Sequence, residues 1–423
     1  MKFQTPRGTK DILSPEVELR NYIFEKSREL FETYGFKEIV TPTFERTEVF
    51  TKGIGEASDI VSKEMYTFKD RKGRSLTLKP EGTAPVVRSF IQNKMYGKPL
   101  PIKLYYSSQM FRYEKPQAGR GREFSQVGIE ILGTSDPLAD VETISLVMNL
   151  YKELGIDQTK LIINSMGCRN CRKKYLQDLK KYLEKNSKYL CEDCNFRMKK
   201  NPLRVFDCKV DQCKKTLSKA PILRDYLCNE CEDHFKNVLK GLDSLKIEWQ
   251  LDNRLVRGFD YYTKTVFEVT APKLGAQDAI CGGGRYDYLI EDYGGPPTPA
   301  VGVAIGVDRT ALVMKSIGIK PFSEKNLQIL LIPLSDTAKE KAIVLLDDLR
   351  KNKIISEMDY GDRSVKGQFK LADRLNAKYV LILGEDELKI NKISLKEMDT
   401  GKQFIVNYNN IVNYIKGKIK ESK

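Results

Sequence analysis

The stretch that most restricts the fold runs from Leu104 to Gly133, LYYSSQMFRYEKPQAGRGREFSQVGIEILG. Two runs with β-type alternation, Leu104 to Glu114 and Glu123 to Leu132, flank a loop rich in Pro, Gly and Arg, which predicts a long antiparallel hairpin. Successive strand side chains point to opposite faces, so the hairpin sorts its own chemistry. Arg112 and Glu114 share one parity, as do Phe124, Gln126, Gly128 and Glu130, while Val127, Ile129 and Ile131 take the core-facing side. One face thus gathers cations, carboxylates, an amide and an aromatic ring; a solvated, charged hairpin is the plain alternative. Guanidinium forks suit phosphate oxygens, whereas carboxylates accept from amines and ring N–H groups.

At 423 residues the chain is long enough for two or three domains with cores of their own. Its 41% hydrophobic and 30% charged residues are the composition of a globular protein in water. The formal charge of +15 favours a polyanionic partner, although high lysine content alone is weak support. No apolar run is long enough to span a bilayer, and the N-terminus MKFQTPRGTKDIL holds no apolar signal segment, so a cytoplasmic protein without membrane contact is expected. Eight of the nine cysteines lie between Cys168 and Cys231 and the ninth is Cys281, which is not the spread of a disulfide scaffold.

Along the chain, Ser14-Pro15-Glu16 predicts a helix start, with the helix running to about Thr33 and stopped by Gly35. Phe36 to Val40 reads as a strand ending before Pro42. A short strand over Leu76 to Lys79 enters a turn and helix in LKPEGTAPVVR, placing Glu81 and Thr83 where side chains project; a capping turn would look the same. Asp136 and Pro137 open a further helix. From Cys168 to about Leu245 the chain is lysine-rich and helical in pattern, with 19 Lys plus Arg against 11 Asp plus Glu. It carries Cys168-x2-Cys171, Cys191-x2-Cys194, Cys208-x4-Cys213 and Cys228-x2-Cys231, with the only histidine, His234, close behind. Four such pairs have the spacing for two tetrahedral zinc sites of unassigned connectivity; small buried residues in a helical domain would give the same pattern. Beyond a polar connection around Gly318 to Lys325, an αβ pattern begins: strands over LQILLIPL, Ile354 to Met358 and Tyr379 to Leu383, with helices over Ala338 to Asn352 and Lys366 to Leu375.

The Phe-Arg-x-Glu of the first hairpin strand, the basic loop and the Arg-x-Phe of the second resemble the second signature motif of the class II aminoacyl-tRNA synthetases. The helix, strand and Pro42 of FKEIVTPTFE resemble the first, which builds a homodimer interface, and AVGVAIGVDR resembles the third. There the family usually has Glu before the Arg, where this chain has Asp308, and Thr310 stands where Leu is common. LVRGFDYYTKTVFEV and GGGRYDYL closely resemble two stretches peculiar to the histidyl-tRNA synthetases; LKPEGTA and FSQVGIEILG extend the likeness over nearly the whole chain. The Gly282-Gly283-Gly284 run is no phosphate loop, since no Lys-Ser/Thr follows it.

The resemblance implies an α+β protein: a class II catalytic domain with a mainly antiparallel sheet over 1–167 and 246–320, an inserted helical Cys-rich domain over 168–245, and a C-terminal α/β anticodon-binding domain over 326–423. It implies activation of L-histidine with ATP and Mg2+, then transfer to tRNA(His), by a homodimer. Arg112 and Arg257 would stabilise charge on the α-phosphate. Glu114, Arg120, Phe124 and Arg309 would complete the ATP site, and Glu81, Thr83, Gln126, Glu130, Tyr262 and Tyr286 would hold histidine. His234 lies apart from these motifs in the sequence, so no imidazole base is expected at the centre. Two rivals are a catalytically silent regulatory paralogue, which would typically lack the C-terminal domain and degrade the signatures, and a zinc-dependent RNA-binding protein, which would leave Glu81, Arg112, Glu130 and Arg257 without a role.

Overall fold

The computed structural model describes residues 3–55, 58–271, 278–320, 327–361 and 363–421. The chain divides into two compact units, Met1–Pro321 and Phe322–Lys423. In the first, the elements in chain order are α1 (Glu16–Thr33), β1 (Lys37–Glu38), β2 (Phe44–Arg46), α2 (Thr47–Ile54), β3 (Thr67–Lys69), β4 (Ser75–Leu78), α3 (Thr83–Gln92), β5 (Ile102–Phe111), β6 (Glu123–Leu132), α4 (Pro137–Glu153) and β7 (Lys160–Ser165). Then come α5 (Arg169–Lys185), α6 (Glu192–Lys200), α7 (Asp211–Leu217), α8 (Asn229–Ser244), β8 (Trp249–Leu251), β9 (Thr263–Thr270), β10 (Ala279–Arg285), α9 (Leu289–Asp292), β11 (Ala300–Gly306) and α10 (Val307–Ser316).

Eight strands form one sheet in the order β1-β5-β6-β11-β10-β9-β7-β8. Only the β1–β5 and β7–β8 pairs are parallel, so the sheet is mainly antiparallel, as expected. Its back face carries Val127, Ile129, Ile131, Val303 and Ile305, packed with Ile23, Phe31, Ile144, Leu150 and Val313 from α1, α4 and α10. Strands alternate, so burying that parity leaves the opposite parity free for chemistry. The hairpin's second strand has the expected bounds, and its first ends at Phe111 rather than Glu114. The last cross-strand bond is Arg112 N–H to Arg122 O at 2.9 Å; from Tyr113 the backbone turns away, Tyr113 N–H donating to Glu64 O at 2.7 Å and Glu114 N–H to Arg112 O at 2.8 Å. The strand expected over Phe36 to Val40 shrinks to two residues. Ile39 N–H still reaches Tyr105 O at 2.8 Å, after which the edge peels away with Val40 exposed.

The second unit holds β12 (Ile329–Pro333), α11 (Asp336–Lys351), β13 (Ser356–Met358), α12 (Val365–Arg374), β14 (Tyr379–Leu383), α13 (Glu385–Lys389), β15 (Lys392–Glu397), β16 (Gln403–Asn407) and α14 (Ile411–Glu421). Its sheet, ordered β13-β12-β14-β15-β16, is parallel through β14 and antiparallel beyond it. Apolar clusters cover both faces, one around Leu331, Leu345 and Ile415, the other around Leu330, Ala372 and Val380. The polar connection expected around Gly318 to Lys325 lies, beyond residue 320, outside the described residues.

Candidate active site

The hairpin lays the floor. In the β5–β6 register Tyr106 faces Gly128, Ser108 faces Gln126 and Met110 faces Phe124, so Tyr106, Phe124, Gln126 and Glu130 share a face. The rows continue across β11 and β10: Gly302 lies opposite Glu130 and Gly284 opposite Gly302, while Ala304 lies opposite Gly128 and Gly282 opposite Ala304. A Cβ on Gly302 would run into the Glu130 carboxylate, one on Gly128 or Gly82 into the Tyr106 ring, and one on Gly282 into the Arg257 guanidinium. The glycine run is therefore strand stripped of side chains so that polar groups can lie over it.

Glu130 is fully buried and accepts hydrogen bonds from Thr83 Oγ1 at 2.7 Å and from the Tyr286 hydroxyl. Burial pushes its carboxyl up to about 8. Glu81, in the turn into α3, accepts the backbone N–H groups of Thr83 and Ala84, both at 2.8 Å, and burial raises its carboxyl too. Among the described residues the sealed Tyr106 hydroxyl and Gln126 Oε1 find no hydrogen-bond partner. Unpaired buried polar atoms cost on the order of 1–3 kcal/mol each, a cost that a polar ligand removes. Tyr262 and Tyr286 flank Tyr261 at ring separations of 4.8 and 5.6 Å, walling this end with aromatic edges. Two buried acids beside unpaired polar groups and rings suit a small cationic ligand rich in N–H donors.

The other end is cationic. Arg257 pairs with Glu268 of β9; burial works against its charge, and the Glu268 carboxylate more than offsets it, so the guanidinium stays ionised. Its Nε is sealed without a hydrogen-bond partner. Arg112 Nε donates to Pro80 O at 2.8 Å, and its guanidinium lies 5.2 Å from the Phe124 ring centre and 5.8 Å from that of Phe259. Glu114 sits 3.7 Å from Arg112 and 3.2 Å from Arg120. The basic loop lies on α10, where burial first and then the Arg120 charge lower the Arg309 pKa. Arg257 lies over Gly282, which pairs with Glu268 on one side and Ala304 on the other; Arg309 lies against Gly119 of the basic loop, and Arg112 is tied to Pro80 beside Glu81, so these groups border one floor.

A family model described as histidyl-tRNA synthetase matches residues 8–310, and one described as anticodon binding domain matches residues 328–418. The chain belongs to the histidyl-tRNA synthetase family. A histidine–tRNA ligase of Geobacillus sp. (strain WCH70) is 48% identical over 99% of this chain and 100% of its own length, and one of Clostridium botulinum (strain Langeland) is 47% identical over 98% and 99%. The crystal structure of apo S. aureus histidyl-tRNA synthetase superposes with a TM-score of 0.82 at 39% identity, over 98% of this chain and 100% of that one.

Every site residue expected of a histidyl-tRNA synthetase family member from the sequence, cysteines aside, lies on or beside this floor. Sequence reasoning missed Tyr106 and Glu268. Both were accessible by strand parity, Tyr106 opposite Gly128 and Glu268 opposite Gly282. Asp308 points away from the floor: it accepts the Ser125 N–H at 2.7 Å and lies 3.4 Å from Arg20, tying α10 to β6 and α1. The cysteines form two quartets, Cys168/Cys171/Cys228/Cys231 and Cys191/Cys194/Cys208/Cys213, an inner set nested within an outer one. His234 is less remote than its sequence position suggests. Its Nε2 lies 3.4 Å from Asp140, which also takes the buried Arg285 of the GGGRYDYL stretch, so it buttresses that strand from behind.

Proposed function

We propose that the floor performs both steps of histidine charging: L-histidine reacts with ATP to give histidyl-adenylate and pyrophosphate, and the histidyl group then passes to the 3′-terminal ribose of tRNA(His). The observation that carries this reading is a buried, doubly hydrogen-bonded Glu130 on the same surface as Arg257 and Arg112. Glu130 and Tyr262, with Tyr286 behind, hold the imidazole; Glu81, Thr83 and Gln126 hold the α-ammonium. A site that hydrogen-bonds both ring nitrogens rejects apolar analogues strongly, because they leave its buried polar groups unpaired. Phe124 stacks on adenine while Glu114 accepts from its amine, and Arg120 and Arg309 hold the outer phosphates.

As the histidine carboxylate attacks the α-phosphorus, charge builds on the equatorial oxygens, so immobile cations there favour the transition state over the ground state. Arg112 and Arg257 are those cations; the stacking of one on Phe124 and the pairing of the other with Glu268 fix them beforehand. Bound to the triphosphate, Mg2+ would supply further neutralisation, and Glu268, opposite Gly282 on the floor, is a carboxylate that would hold it there. His234 is committed to Asp140, so the ribose proton goes to a substrate phosphate oxygen or another group without an imidazole.

In this reading residues 168–245 are an insert in a catalytic domain built from 1–167 and 246–320, and 326–423 bind the anticodon. The enzyme works in the cytoplasm as a homodimer, supported by the exposed β1 edge with Val40 beside it. No helix among the described residues is long and apolar enough to cross a membrane. Zinc has a structural role, since none of the eight clustered thiols borders the floor. The test is histidine-dependent exchange of pyrophosphate into ATP. Arg257→Ala should lower turnover about 10²- to 10³-fold; undiminished exchange removes Arg257 from the chemistry, and no histidine-dependent exchange by the native chain ends the reading.

A further inference from the structure

Within each quartet the four sulfurs all lie within 4.8 Å of one another. The separations include 3.5 Å for Cys168–Cys171, 4.0 Å for Cys168–Cys228 and 3.8 Å for Cys191–Cys208. Four thiolates at about 2.3 Å from one tetrahedral zinc stand roughly 3.8 Å apart. Packing of small apolar residues would not aim sulfurs from pairs 60 residues apart at a common point. Each quartet also has a backbone N–H on a sulfur of the facing pair, Cys228 N–H to Cys171 Sγ at 3.1 Å and Cys191 N–H to Cys213 Sγ at 3.2 Å, the support that thiolate ligands need. All eight are free thiols.

The inner quartet sits on a structure that reaches the catalytic loop. Between Cys194 and Cys208 the chain makes a tight turn, Pro202–Asp207, whose Arg204 is almost fully buried. Arg204 donates to Gly258 O, the carbonyl directly after Arg257, and lies 3.2 Å from Asp207 and 3.6 Å from Asp260. Asn201 Nδ2 adds a 2.8 Å bond to Asp260. Arg204 and the turn's capping Asn201 therefore hold the segment that presents Arg257; Cys208 follows the turn directly, and Cys194 lies in α6, which leads into it.

We propose that each quartet binds one Zn2+ and that the inner ion clamps the Pro202–Asp207 turn so that Arg204 can position the Arg257 loop. Each site is closed, with four protein ligands, so the ions are structural rather than Lewis acids. Arg204 is a positioning residue: it touches Gly258 and Asp260, not substrate. This rests on the aminoacylation reading only for its activity measurement; metal content is read independently.

The experiment is elemental analysis of the purified full-length chain after dialysis against metal-free buffer, alongside pyrophosphate exchange. The native chain should hold two zinc ions. Cys208→Ser should hold one and lose kcat about 10- to 100-fold with little change in KM for ATP or histidine, as expected for a misplaced catalytic group. Arg204→Ala should keep both ions and show the same fall in kcat. Should Cys208→Ser not fold, Arg204→Ala decides the positioning claim. Absence of zinc from the native chain, iron in its place, or native kcat in Arg204→Ala overturns the proposal. Two zinc ions in a chain without histidine-dependent exchange would instead condemn the catalytic reading alone.

Discussion

At the scale of single residues, Glu130 concentrates the tension between stability and function. Its folded value of about 8 stands above the 4.5 of an ordinary glutamate. Between those values the ligand-free folded chain binds a proton that the unfolded chain does not, so this contribution to stability is full below about pH 4.5 and is lost as pH rises through about 8. Glutamine mimics the protonated form. Glu130→Gln should therefore gain stability relative to the native chain as pH goes from about 5 to 8.5, by on the order of a few kcal/mol, read from denaturant titrations without histidine. The same substitution should lower kcat/KM for histidine by at least about 10²-fold, because the ring N–H loses its anionic partner. A difference in stability that does not vary with pH would show that Glu130 is ionised in the free enzyme. The two-residue period sufficed to put Gln126 and Glu130 together; the hydroxyls of Thr83 and Tyr286 on Glu130 come from segments 47 and 156 residues away, which no local pattern reports.

At the scale of elements, the β10–β11 glycines do the work that loops do elsewhere. Gly302→Ala would place a methyl group against the Glu130 carboxylate and 2.7 Å from the Ile129 carbonyl, and Glu130 is held by two hydroxyls and cannot swing aside. We expect a folded protein, judged by circular dichroism, whose kcat/KM for histidine falls by about 10²-fold; unchanged kinetics would mean the floor has slack. Element type was legible wherever periodicity was long: β6, α1 and α12 stand within a residue of their expected bounds. Ends were less so. Strand alternation carried to Glu114 holds as far as Arg112, whose N–H still donates to Arg122 O at 2.9 Å and whose guanidinium lies 5.2 Å from the Phe124 ring centre; from Tyr113, bonded to Glu64 O, the chain has turned.

At the scale of the whole molecule, the net charge of +15 is expected to bear on tRNA rather than on ATP or histidine. Counterion release makes polyanion binding steeply salt-dependent. KM for tRNA should rise at least about ten-fold between about 50 and 200 mM salt, while the constants for pyrophosphate exchange stay nearly flat; parallel responses would assign the charge to solvation alone. By itself the sequence determined the alternating hairpin and the glycine and arginine signatures, because these are properties of neighbouring residues and backbone sterics. Only the tertiary structure decided which cysteine pairs meet, that Arg204 reaches under the Arg257 loop, and that His234 leans on the strand behind the floor. Those contacts join segments far apart in the chain, and packing rather than local preference brings them together.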